Sequence, residues 1–102
     1  MRPIPYIPHL PAMDETRLKR LRFRAWRRGF READLILGPF ADSHASGFTE
    51  SEAAAFEALL DQPDHDVYGW ILGGAAPDPF ETPLLTQLRA FQAGGGARIR
   101  QD

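Results

Sequence analysis

An all-α fold, a small compact bundle of roughly four to five short helices, is what this sequence predicts, and three observations carry it. Apolar residues recur at three- and four-residue spacing from Leu18 to Phe91, and no stretch keeps the two-residue alternation of a half-buried strand. Helix-start chemistry stands before these runs at Asp14, at Thr49 with Glu52, at Asp64 and at Thr82-Pro83. Glycine or proline closes them at Gly29, Pro63, Gly73-Gly74 and Gly94-Gly95-Gly96. A chain of 102 residues holds one domain with a modest core. It divides into a proline-rich N-terminal arm at 1–13, a helical domain at 14–93 and a flexible tail at 94–102.

Each helix has its own warrant. Asp14 caps the first, and Leu18, Leu21 and Ala25 form its apolar side, extended by Trp26. Gly29 suits the left-handed position that ends it. The second covers about 30–43, with Phe30, Ala33, Leu37 and Phe40 on one face. Pro39 would clash with the carbonyl of Leu35, so a kink or a restart is expected there. Thr49-Glu50-Ser51-Glu52 is a capping box, and the helix behind it turns Ala53, Phe56, Leu59 and Leu60 inward and stops before Pro63. Asp64 is expected to cap a short fourth helix carrying Val67, Trp70 and Ile71. Thr82 caps the last, with Pro83 at its first position and Leu84, Leu85, Leu88 and Phe91 facing inward.

Composition excludes several function classes. The net charge is −2 and cysteine is absent, so there is neither a disulfide framework nor thiolate chemistry. No apolar run is long enough to span a bilayer, and the prolines interrupt any signal-peptide layout at the start, so a cytoplasmic protein without membrane insertion is expected. No histidine stands at metal-ligand spacing to another histidine or to a cysteine, and no glycine run forms a phosphate loop. Asp64-His65-Asp66 reads as a cap flanked by solvated side chains, and Ser43-His44 as a polar helix end rather than a nucleophile with its base. No catalytic residue and no metal site is assigned.

What remains is uneven charge. Eight of the twelve basic residues lie between Arg17 and Arg31, whereas 42–66 holds seven acids and no lysine or arginine. Arg17, Arg20, Arg24, Arg27 and Arg28 share an arc of the first helix, where like charges four residues apart cost about 0.2–0.5 kcal/mol each. One reading has this face neutralised by the acidic middle of the same chain. A second takes it for a nucleic-acid contact, against which stand the negative net charge, the single lysine, and Glu32 and Asp34 at the corner itself. The third, which we adopt, is a protein-docking site at Arg27-Arg28-Gly29-Phe30-Arg31-Glu32-Ala33-Asp34. Arginine forks pair with carboxylates there, and glycine permits close backbone approach. Arg24, Trp26, Arg28, Gly29, Glu32 and Asp34 are the candidate partner-binding residues, with Arg28 and Glu32 expected to face outward at a turn between two helices.

Arg28-Gly29-Phe30-Arg31-Glu32 resembles the Arg-Gly-x-x-Glu signature of the FAD assembly factors of succinate dehydrogenase (the SdhE family). The segments 33–38, 56–64 and 66–71 are similar to the family as well, so the likeness runs from about Leu18 to Gly73. The arm, Pro39 and the C-terminal segment depart from it. The resemblance implies a small helical chaperone, not an enzyme, that binds the flavoprotein subunit of succinate dehydrogenase and, in part of the family, that of fumarate reductase. It would promote covalent attachment of FAD to a histidine of that subunit. It would hold no FAD stably by itself and would be a monomer when free. The signature roles fall on Arg28, Gly29 and Glu32.

Overall fold

The computed structural model describes residues 14–95; the arm at 1–13 and the tail positions from 96 onward lie outside the described residues. Among the described residues five α-helices follow one another: α1 Glu15–Trp26, α2 Arg31–His44, α3 Glu50–Leu60, α4 Asp64–Ile71 and α5 Pro83–Ala93. Single 3₁₀ turns, Ala45–Gly47 and Asp78–Phe80, shape two of the connections. No strand occurs among the described residues.

Local chemistry explains most boundaries. Asp14 accepts the backbone N–H of Arg17 at 2.7 Å and so starts α1. Thr49 and Glu52 form the reciprocal box, at 3.1 Å and 2.9 Å. Thr82 accepts from the N–H of Leu85, with Pro83 opening α5. Asp64 is a different matter: the N-cap of α4 is Pro63, with no side-chain cap, and Asp64 is the first helical residue. Its carboxylate turns across to the α1–α2 turn instead, where an arginine offers it a charge-assisted bond that a backbone N–H cannot match.

Helix α2 neither restarts nor breaks at Pro39. Pro39 leaves the Leu35 carbonyl without its intrahelical N–H partner, and Leu35 and Asp42, on the same side of the helix, are exposed. Ser43 Oγ donates to the Pro39 carbonyl at 2.9 Å.

α2 lies at the centre of the packing, touching α1, α4 and α5. Ala33, Ile36, Leu37, Phe40 and Ala41 from it are buried together with Leu21 and Ala25 of α1, Phe56 and Leu59 of α3, Val67 and Ile71 of α4, and Leu84, Leu85 and Leu88 of α5. Phe40 organises the middle, with ring centroids 6.0 Å from Phe56, 6.1 Å from Phe48 and 5.4 Å from Phe91. Such offset and edge contacts add to the area buried. This core holds the α1–α2 corner against α3 and α4.

Candidate partner-docking corner

Between Trp26 and Arg31 the chain reverses, and two inward anchors flank the reversal. Helix α1 ends one residue earlier than the position of Gly29 implies: Arg27 is its C-cap, and Gly29 lies two residues beyond. Gly29 has φ of +88°, in the left-handed region, and a Cβ there would meet nothing within 4 Å. Backbone conformation, not space, is what calls for glycine. On one side Arg28 points into the protein. On the other, Phe30, the extended N-cap residue of α2, packs on α4, 4.7 Å from the His65 ring and edge-on to Tyr68 at 5.3 Å.

Arg28 therefore does not face outward. Its side chain is only 6% exposed, although its backbone lies at the surface. Nε donates to Asp64 Oδ1 at 2.7 Å, Nη1 to the Leu60 carbonyl at 2.9 Å, and Nη2 to the Gln62 carbonyl. Leu60 closes α3, so its carbonyl is one of those a helix end leaves without a partner, and the guanidinium supplies it. The backbone N–H of Arg28 donates to Asp34 Oδ1 at 3.0 Å, tying the turn to the first turn of α2. The expected outward Arg28–Glu32 pair is corrected by this arrangement. Three acceptors clustered at the α3–α4 joint hold a planar fork better than one exposed carboxylate would.

The same logic absorbs much of the basic face. Arg17 pairs with Glu50 at 2.9 Å and Glu57 at 2.8 Å, Arg24 with Asp61 at 2.7 Å, and Arg28 with Asp64. These rungs run in the same order along α1 into the turn after it and along α3 into α4. Bonding from Arg17 holds the Glu57 carboxyl below the usual carboxylate range and pushes the Arg17 guanidinium up. Neutralisation within the fold thus holds for Arg17, Arg24 and Arg28. The signal was in the sequence: Glu50, Glu57 and Asp61 lie at i, i+7 and i+11, one face of a helix.

The other candidates divide by exposure. Glu32 is exposed and makes no ion pair among the described residues. Gly29 and Arg31 are also at the surface. Asp34 is half-buried and serves the turn. Trp26 packs against Gly38 so closely that a Cβ at that glycine would come within 2.3 Å of an indole carbon, and its Nε1–H donates to Asp42 Oδ2 at 3.1 Å. Gly38 and Asp42, which hold Trp26, were not singled out from sequence. A glycine inside a helix carries no sign of the ring it receives. Ser43 Oγ lies 2.8 Å from His44 Nδ1, but Asp42 is turned to Trp26 and Arg22, so no three-membered relay forms there. Among the described residues no group of three or more metal-binding side chains is gathered, and no helix is long and apolar enough to cross a membrane.

Fold and corner together define a class: a small helical module that presents a rigid, positive-φ turn between two helices. The model of the family described as the flavinator of succinate dehydrogenase matches residues 19–92, and the chain belongs to that family. It is 43% identical over 68 residues to the mitochondrial succinate dehydrogenase assembly factor 2 of Dictyostelium discoideum, covering 66% of this chain and 48% of the relative. Over 75 residues it is 38% identical to the FAD assembly factor SdhE of Pseudomonas aeruginosa, covering 74% of this chain and 88% of that one. The SdhE of Acetobacter pasteurianus is 34% identical over 74 residues, covering 72% and 68%. The chain thus spans about half the length of the Dictyostelium relative and larger shares of the bacterial ones. No solved structure matches it significantly.

Proposed function

We propose that this protein binds the flavoprotein subunit of succinate dehydrogenase and promotes covalent attachment of FAD to a histidine of that subunit, as an assembly factor rather than an enzyme. The observation that carries the reading is the corner inside the matched region: Arg28-Gly29-x-x-Glu32, rigid at Arg28 and open at Gly29 and Glu32. The names of the relatives, succinate dehydrogenase assembly factor and FAD assembly factor, support it. The flavin's own methyl chemistry supplies the difficult step. The contribution of this chain is to hold the client so that histidine and flavin meet, a positioning effect. Arg28 builds the corner from behind; Gly29 lets the client's backbone approach; Glu32 offers a carboxylate to it. Fumarate reductase's flavoprotein subunit is a second client in this proposal. We place the protein in the cytoplasm, as a monomer when free, without stable FAD of its own and without nucleic acid as a partner.

The test is reconstitution of the apo-flavoprotein subunit with FAD, reading covalent flavin as fluorescence that survives a denaturing gel. Glu32→Gln is expected to leave the thermal midpoint within about 4 °C, as surface substitutions do, and to lower covalent flavin severalfold. Gly29→Arg should act in the same direction while costing stability, because its left-handed backbone costs a side chain about 1–2 kcal/mol. Normal flavin incorporation with both variants would refute the assignment of the corner.

A further inference from the structure

Beside the corner, the outer face of α1 carries large apolar side chains that the core does not use. Phe23 is 61% exposed, Trp26 38% and Leu35, on α2, 42%. Lys19, Arg22, Phe23, Trp26 and Arg27 line one shallow depression. The Arg27 guanidinium lies over the Phe23 ring, 4.7 Å from its centroid. Leu35 precedes Gly38 by one helical turn, on the side of α2 that receives the indole. Pinned by Gly38 and Asp42, Trp26 is a rigid platform, and rigid aromatic surface costs little entropy to cover.

The charge around this surface is predominantly positive, with Lys19, Arg22, Arg27 and Arg31 against Glu15 and Asp42. Glu50, Glu57, Asp61 and Asp64 are engaged by Arg17 and Arg24 on another face of α1 and by Arg28 in the turn after it. Here Lys19 reaches Glu15 only at 3.6 Å with both side chains mostly in solvent, and Arg27 and Arg31 make no ion pair among the described residues. Arg22 Nε is buried 3.7 Å from Asp42 Oδ1, without a hydrogen-bond partner among the described residues, while the Arg22 side chain as a whole is 40% exposed.

We propose that this face of α1 is a second docking surface for the client flavoprotein. It would receive an acidic segment whose apolar side chain rests on Phe23 and Trp26 and whose carboxylates meet Lys19, Arg22 and Arg27. The proposal rests on the function given above. Arg27 adjoins Arg28-Gly29, so a protein covering the corner reaches this face without a second body. A lipid surface fits less well, because α1 buries Leu21 and Ala25 in the core and leaves no continuous apolar face to insert.

Affinity for the purified apo-flavoprotein subunit tests it, using Phe23→Ser, the double variant Lys19→Glu/Arg27→Glu, and Glu32→Gln at the corner. Phe23→Ser is expected to weaken binding about thirtyfold, the scale of an interfacial aromatic anchor, with an unchanged thermal midpoint because the ring is exposed. The charge-reversed variant is expected to slow association and to flatten its dependence on salt. Wild-type affinity in both, with binding weakened by Glu32→Gln, would overturn this surface and leave the functional reading standing. No binding by the wild type would overturn both. Binding to anionic phospholipid vesicles, or a dimer in solution, that Phe23→Ser abolishes would assign the face to lipid or to a second copy and overturn the proposal.

Discussion

Replacing Arg28 by alanine separates two roles that the corner invites one to confuse. The side chain, 6% exposed, bonds to Asp64 and to the carbonyls of Leu60 and Gln62, and so ties the α1–α2 turn to the α3–α4 joint. Removing one partner of a buried pair costs about 3–5 kcal/mol, whereas an exposed pair is worth under about 1. Asp64 is 32% exposed and regains water when abandoned, which places the loss at the lower end, about 3 kcal/mol. At about 4–8 °C per kcal/mol for a domain of this size, the midpoint should fall by roughly 12–24 °C. Thermal unfolding followed by circular dichroism measures it. Asp64→Asn in a double-mutant cycle should couple strongly to Arg28→Ala. Arg28→Lys should recover less than half, since an ammonium lacks the planar fork that meets three acceptors. A fall of less than about 4 °C, equivalent to under about 1 kcal/mol, would refute the argument. Covalent flavin lost without loss of stability would then make Arg28 a partner contact.

Two further outcomes follow from the geometry. Gly38→Ala should displace the Trp26 indole, breaking its bond to Asp42 at a cost of about 1–3 kcal/mol, seen as a red-shifted emission in a Trp70→Phe background; an unshifted spectrum would contradict the close contact. Glu57 and Glu52 are held below the ordinary glutamate range, by the hydrogen bond from Arg17 and by the backbone N–H of Thr49 respectively. The unfolded chain therefore binds more protons in acid, so their stabilisation is complete above about pH 4.3 and is lost as pH falls through the lowered folded values. Denaturant midpoints measured from pH 6 to pH 2 should fall in that window, and Glu57→Gln should flatten the fall. An equal slope in the variant would remove Arg17–Glu57 from the account.

Legibility in the sequence followed the range of the interaction. Thr49 with Glu52, Thr82 with Pro83, and Asp14 each act within three residues, and the structure has them as read. Asp64 was misread because two attractions compete for it: a local N–H and an arginine 36 residues away. The continuous course of α2 through Pro39 rests on which side of the helix meets solvent, which periodicity locates only once neighbours are known. The exposed Phe23 and the receiving Gly38 carried no local mark.

By itself, the sequence determined the all-helical class, the caps, and the Arg-Gly-x-x-Glu turn together with the need for a flexible residue at Gly29, because these rest on the backbone preferences of adjacent residues. Tertiary structure alone decided which way the charges of that turn point. Arg28 lies inward, since the end of α3 leaves carbonyls that need donors and Asp64 stands beside them; Glu32 lies outward, since the described fold offers it no cation. A guanidinium goes where its hydrogen bonds converge, and that place is set by helices distant along the chain.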